Sequence, residues 1–306
     1  MILIIGSQEE LHSKFMYEKM QSQNIDVEYF DSRLYPEYTA ISYGIGDDFS
    51  KSYIKIQNKK IYTNDIKGVW WRWFYGVPKG KFSDGDPKLD NMVYRERKTA
   101  LDNLFLISSR NNCNWLNSKE AIEMHQTKGY QLQLLKENNI RIPKTLFTSN
   151  ADDVRSFYEL NNKNIIYKPV VGGAYTQKMT EADFSKERMS AIKNSPIQLQ
   201  ECIDGVDVRV YVVGSNIYAA KIICSTLDFR KDSKAIIEPI ELPKRVQKDC
   251  LKALKLLKLR YSGIDIRLSD SGEYVFLEAN PAPMFIHFEK QTKYPISDSI
   301  ISELLK

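Results

Sequence analysis

Apolar residues along the chain follow two alternating periods. Met1–Ile5 is an unbroken apolar run closed by Gly6-Ser7, the pattern of a strand buried on both faces. Leu11, Phe15, Met16 and Met20 then recur at helical spacing, and Val27–Phe30 reads as a second strand, so the chain opens as a β-α-β unit of an open parallel sheet. Alternation of Tyr53, Ile54 and Ile56 with Ile61 and Tyr62, around Asn58-Lys59-Lys60, predicts a hairpin. VWWRWF, from Val69, predicts a strand at a sheet edge with one buried face. Residues 76–87 hold two prolines and three glycines and read as an exposed loop, before a helical pattern over 88–108.

Helical spacing returns after Ser118 (Ala121, Ile122, then Gln131, Leu134, Leu135), and Ile140–Phe147 carries the chain into a strand. Ser149-Asn150-Ala-Asp-Asp reads as a helix start, its acidic residues placed where the helix dipole favours them. Asn162–Asn164 breaks this pattern before the strand IIYKPVV. From about Pro196 the sequence predicts strands near 197–203, 208–213 and 217–225. A helix over Arg245–Leu257 and the strand pair in GIDIRLSDSGEYVFLEANP follow. The fold class expected is α/β, α+β in its C-terminal lobes, divided as 1–115, 116–195 and 196–306.

Composition narrows the function. With 42% hydrophobic and 27% charged residues over 306 positions, the chain has the balance of a globular protein with ample core. The net charge of +5 is mild and gathers in no basic tail, so nucleic acid is not the expected partner, whereas a phosphorylated small molecule or an acidic peptide suits it. No apolar run is long enough to cross a membrane, and Met1–Ile5 is too short and lacks the basic flank of a signal peptide. Cys113, Cys202, Cys224 and Cys250 are scattered, which fits reduced thiols in a cytoplasm. Three dispersed histidines and the lack of G-x-S-x-G argue against a zinc hydrolase or a serine triad.

Chemistry concentrates in an ordered set. Lys128 lies in a helical stretch. Lys168 sits on a strand and is followed by Pro169 and Gly172-Gly173, a lysine and flexible turn suited to phosphates. In Gln-Leu-Gln-Glu-Cys-Ile-Asp-Gly-Val-Asp-Val-Arg, the backbone of Gln200–Ile203 could face a flat base and Asp207 a ribose. Lys221 and Arg230 add fixed positive charge. Asp265, Glu278 and Asn280 fall on one face of a hairpin turning at Ser269–Gly272, and their hard oxygen donors suit Mg²⁺. Each element alone has an ordinary structural reading; their joint order is what carries the signal.

That order, Lys128, Lys168-Pro-x-x-Gly-Gly, Gln-Glu-x-Ile-x-Gly-x-Asp-x-Arg, Asp265 and Leu-Glu-Ala-Asn-Pro, resembles the ATP-grasp superfamily. Within it the chain is most similar to the RimK-like branch and its microviridin-type ribosomal peptide maturases, the graspetide ligases, through VFLEANP, FEKQTKYPIS, Asp228–Arg230 and VWWRW. The resemblance implies an ATP-grasp fold behind an N-terminal pre-ATP-grasp domain. It implies that Lys128 and Lys168 touch ATP phosphates, that Gln200, Glu201 and Ile203 form the adenine hinge, and that Asp207 holds the ribose. Arg209, Lys221 and Arg230 would line the acyl-phosphate region, while Asp265, Glu278 and Asn280 would bind Mg²⁺. The implied reaction joins carboxylates of a ribosomally made precursor peptide to Thr/Ser or Lys through an acyl phosphate. Two features depart from the maturase pattern: Ala-Pro-Met-Phe replaces the usual Gly-Gln-Trp after Pro281, and the glycine loop after Lys168 is short.

Two rival expectations stand beside it: a RimK-like ligase that adds amino acids to a protein terminus or small molecule, and an ATP-binding scaffold without turnover. The loops after Lys168 and over 225–233 are candidate lids. The aromatic run from Trp70 to Tyr75 reads mainly as core, with Arg72 as a minor candidate for meeting an acidic substrate. KRVQKDCLKALKLLKLR should bury Val246, Cys250, Leu254 and Leu257 and present a solvated basic face. The assembly is left open, a homodimer included.

Overall fold

The computed structural model describes residues 1–46, 51–80, 85–110, 113–125, 127–171, 175–224 and 235–306. The elements run β1 (Ile2–Ile5), α1 (Leu11–Ser22), β2 (Val27–Phe30), β3 (Thr39–Ser42), β4 (Tyr53–Ile56), β5 (Lys59–Tyr62), β6 (Gly68–Trp71), α2 (Pro87–Ser108) and β7 (Asn114–Leu116). Then come α3 (Lys119–His125), α4 (Lys128–Glu137), β8 (Thr145–Thr148), α5 (Ala151–Leu160), β9 (Ile165–Pro169), β10 (Gln177–Lys178), α6 (Lys186–Ile192) and β11 (Ile197–Glu201). The chain ends with β12 (Gly205–Val213), β13 (Asn216–Ile223), β14 (Ile236–Ile240), α7 (Lys244–Leu256), β15 (Tyr261–Ser269), β16 (Tyr274–Asn280), α8 (Ile286–Thr292) and α9 (Ile296–Leu304). They form two compact units: Met1–Ile122 with Leu259–Tyr261 and Pro281–Lys306, and Glu123–Lys258 with Ser262–Asn280.

In the first unit the parallel sheet has the order β2-β1-β6-β7, with Ile2 opposite both Val27 and Gly68. The opening β-α-β unit is therefore as expected, although Leu11 faces solvent and α1 buries His12, Ser13, Met16 and Met20. β6 is an interior strand, which corrects the edge expected for VWWRWF. Val69, Trp70 and Trp71 are all buried, and Trp73, beyond the strand end, is half exposed. Gly68 is needed where it stands, because a Cβ there would lie 2.4 Å from the Leu304 carbonyl oxygen of α9. The predicted hairpin is β4–β5, with Ile54 opposite Ile61. Its turn falls at Gln57-Asn58 rather than Asn58–Lys60, since Gln57 takes a positive φ of 51° and Lys59 already pairs with Ile56.

Two buried polar clusters tie this unit together. Arg72, 3% exposed, donates to both Glu10 carboxylate oxygens (3.2 and 3.1 Å) and to the Ala282 carbonyl (2.5 Å). Glu10 in turn caps α1 through the Ser13 amide. Arg72 is thus spent inside the unit, which corrects its candidacy for meeting a substrate. The Asn117 amide satisfies four bonds, donating to the Tyr261 and Pro281 carbonyls and accepting from the Arg260 and Tyr261 amides. That clamp explains how 259–261 and 281–306 join residues 1–122.

The second unit holds two antiparallel sheets, β10-β9-β11-β8 and β14-β13-β12-β15-β16. β8 is shorter than the run 140–147 predicts because Pro143 has no amide for a ladder. One face of β9–β11 packs Ile165 and Leu199 against Val154 and Tyr158 of α5. α7 buries Val246, Cys250 and Leu254 as its spacing requires, and Leu257, just past its end, is buried with them.

Candidate active site

The strand pair β15–β16 sets Asp265 opposite Glu278 and Gly263 opposite Asn280, so the three oxygen ligands expected from alternation do share one face. Both carboxylates carry a cation. Arg209, from β12, donates to Asp265. Lys128 Nζ stands 2.8 Å from Glu278 Oε2. Next to this group Arg267 donates to Asp207 at 2.9 Å and to the Ile203 carbonyl at 3.0 Å.

Lys128 is the first residue of α4, where the helix dipole disfavours a cation unless an anion faces it. Glu278 supplies that anion. One turn on, the buried Gln131 amide clasps Ala279, accepting from its amide at 2.9 Å and donating to its carbonyl at 3.2 Å. α4 is thereby locked beside the residue that follows Glu278. His125 Nδ1 lies 3.1 Å from the same carbonyl, with Nε2 3.5 Å from Glu278. Burial pushes the Glu278 carboxyl up, but the charges of Lys128, His125 and Lys168 outweigh it and hold the group below the usual carboxylate range. Burial pulls the His125 imidazole below its usual value, with Glu278 opposing only in part. The sequence reading missed Gln131 and His125 as parts of this site. The i, i+3 spacing from Lys128 to Gln131 was the available signal.

The other predicted residues lie on β9 and β11. Lys168 is opposite Gln198, and Gln200, on that same face, donates to Thr145 Oγ1 at 2.9 Å. Glu201 accepts from the Lys144 amide at 2.8 Å and from Arg141 at 3.2 Å. Lys221 does not join the group. β12–β13 register sets Arg209 opposite Ala220 and Lys221 opposite Val208, so Lys221 points from the opposite face of the sheet to Arg209 and Asp265. Arg230, Gly172-Gly173 and the segment 225–233 lie outside the described residues.

A RimK-like ATP-grasp domain matches residues 125–304, more than half of the chain. The chain belongs to the RimK-like ATP-grasp family. Residues 1–123 match an MvdD pre-ATP grasp domain. The ATP-grasp ligase PsnB, solved with a minimal precursor, is 30% identical with a TM-score of 0.83, covering 99% of this chain and 98% of that one. A Chryseobacterium gregarium RiPP-associated ATP-grasp ligase shares the fold at TM-score 0.84 and 23% identity, over 99% of this chain and 96% of the other. Among curated relatives, a probable alpha-L-glutamate ligase of Vibrio atlanticus is 29% identical over 206 residues, 62% of this chain and 67% of its own length. The chain is thus an ATP-grasp ligase by family and fold, and no helix among the described residues is long and apolar enough to cross a membrane.

ATP-grasp ligases use ATP, and the donor chemistry here fits an anionic nucleotide with a hard divalent cation. Two facing carboxylates and an amide oxygen supply oxygen donors, while Lys128, Lys168 and Arg209 supply positive charge beside them. Among the described residues no three His, Cys, Asp or Glu side chains cluster as a metal site.

Proposed function

We propose that this ligase joins side-chain carboxylates of a precursor peptide to hydroxyl or amine groups of that peptide, forming ester or amide crosslinks. The observation that carries the reading is the whole-length likeness to PsnB, described with a minimal precursor, Mg and ADP at 28% identity, together with the N-terminal MvdD-type match. Gln200, Glu201 and Ile203 would face adenine, Asp207 the ribose, and Lys128 and Lys168 the phosphates. Asp265, Glu278 and Asn280 would hold Mg²⁺, which when bound neutralises charge on phosphate oxygens.

A peptide carboxylate attacks the γ-phosphate, giving an acyl phosphate and ADP. Lys128, Lys168 and Arg209 offset the charge that gathers on the transferred group, and Arg230 joins them on sequence grounds. A Thr, Ser or Lys side chain then attacks the activated carbonyl, and phosphate leaves. Positioning and electrostatics do most of this, and no protein nucleophile is required.

The likeness to probable alpha-L-glutamate ligases favours one second reading, addition of glutamate to an acceptor. Incubation with ATP, Mg²⁺, glutamate and a Thr- and Asp/Glu-rich peptide separates the two by mass spectrometry. Loss of one water per ADP supports crosslinking; gain of a glutamyl residue supports the second reading. Glu278→Gln should lower ADP formation about 100-fold or more, and normal turnover in that variant refutes the metal assignment.

A further inference from the structure

The end of β11 departs from a regular ladder at one bond. In an antiparallel ladder the facing residues of every second pair exchange both N–H···O=C bonds, and the Glu201 amide's bond to the Lys144 carbonyl marks these two as such a pair. Glu201 donates its amide to the Lys144 carbonyl at 3.0 Å, but the Lys144 amide does not return the bond to the Glu201 carbonyl. It donates to the Glu201 carboxylate instead, at 2.8 Å, and Arg141 holds the same oxygen at 3.2 Å. On the other edge, Cys202 is fully engaged: its amide donates to the Asn164 carbonyl at 2.9 Å and its carbonyl accepts from the Asn164 side chain at 3.2 Å. Pro143, before Lys144, brings no amide to the edge that Glu201 faces. Within β11 a residue's amide and carbonyl point to the same side, so the Glu201 carbonyl faces that edge as an acceptor.

We propose that the Glu201 carboxylate is a positioning group for base selection. By taking the Lys144 amide it keeps its own residue's carbonyl out of the ladder and open to the exocyclic amine of adenine. This rests on the reading of Gln200–Ile203 as the adenine-facing segment. The carboxylate itself touches no nucleotide; it acts by occupying the Lys144 amide, the donor that faces this carbonyl across the ladder. A 6-oxopurine offers no amine to that carbonyl, so ATP should be preferred to ITP.

The test is calorimetric binding of ATP and ITP, with Mg²⁺, to the full chain. Wild type should favour ATP by about tenfold, the value of one hydrogen bond to an otherwise unpaired carbonyl. In Glu201→Ala the Lys144 amide is released to the position-201 carbonyl, so ATP affinity should fall about tenfold with ITP affinity unchanged. Glu201→Gln keeps an amide oxygen for Lys144 and should restore most of the ATP preference. Preference that survives Glu201→Ala overturns the proposal while leaving the adenine-facing segment in place. An equal loss of both nucleotides in Glu201→Ala overturns it too, showing a role in local folding alone. A wild-type chain that binds ATP and ITP equally overturns the adenine-facing reading and the proposal with it.

Discussion

Replacing Lys128 with methionine keeps the apolar stem of the side chain and removes the ammonium that Glu278 accepts from at 2.8 Å. At that separation, with an effective dielectric of about 20, the gross attraction is about 6 kcal/mol. The side chains are 15% and 23% exposed, so desolvation cancels much of it, and a charge-assisted hydrogen bond of about 1–3 kcal/mol is the net coupling. A divalent cation approaching Glu278 must displace Lys128, whereas a phosphate gains from it. The Lys128→Met chain without nucleotide should therefore bind Mn²⁺ about 5- to 100-fold more tightly, while its affinity for ATP falls by a similar factor. Manganese titration followed by electron paramagnetic resonance reads the first change and calorimetry the second. Affinities that fall together, or Mn²⁺ binding that does not move, would refute the view that Lys128 guards Glu278 in the free chain.

Two further outcomes concern the first unit. Arg72→Met strands the Glu10 carboxylate and should cost about 3–5 kcal/mol in urea unfolding at pH 7. Burial raises the Glu10 carboxyl but the Arg72 bonds outweigh it, so its folded pKa is lowered from 4.5. Stability from the pair is then present above 4.5 and lost as pH falls through the folded value; a deficit that never shrinks along the acid limb would contradict this. His12, buried with Arg72 nearby, is held at about 4 in place of its usual 6.5. The unfolded chain takes up that proton first, so stability should drop by up to about 3 kcal/mol from pH 6.5 to 4. His12→Leu should flatten that slope, and an identical acid profile in the variant would rule His12 out as its source.

What was legible in the sequence was what period and local chemistry encode. The alternation through VFLEANP placed Glu278 and Asn280 on one face because a strand's side chains alternate whatever lies around them. The helical spacing of α7 named its buried residues for the same reason. Asn150 followed by two acids marked the start of α5, where its side chain accepts from the Asp152 amide. The order of Lys128, Lys168, Asp265 and Glu278 identified the family before any distance was known.

Tertiary structure decided the pairings between distant segments. No local pattern tells Arg72 that Glu10 and Ala282 will absorb it, or moves β6 from an edge to the interior of its sheet. Nor does one reveal that the C-terminal segment Pro281–Lys306 packs with residues 1–122. Lys221 sits two residues from Ala219 on an apolar-rich strand, and only β12–β13 register shows it one residue out of phase with Arg209. The carboxylates at 265 and 278 were readable as an oxygen pair, but their cations at 209 and 128 arrive from other elements. Period is a property of a few neighbouring residues, whereas register and ion pairing are contracts between strands and helices far apart in the chain, and only folding signs them.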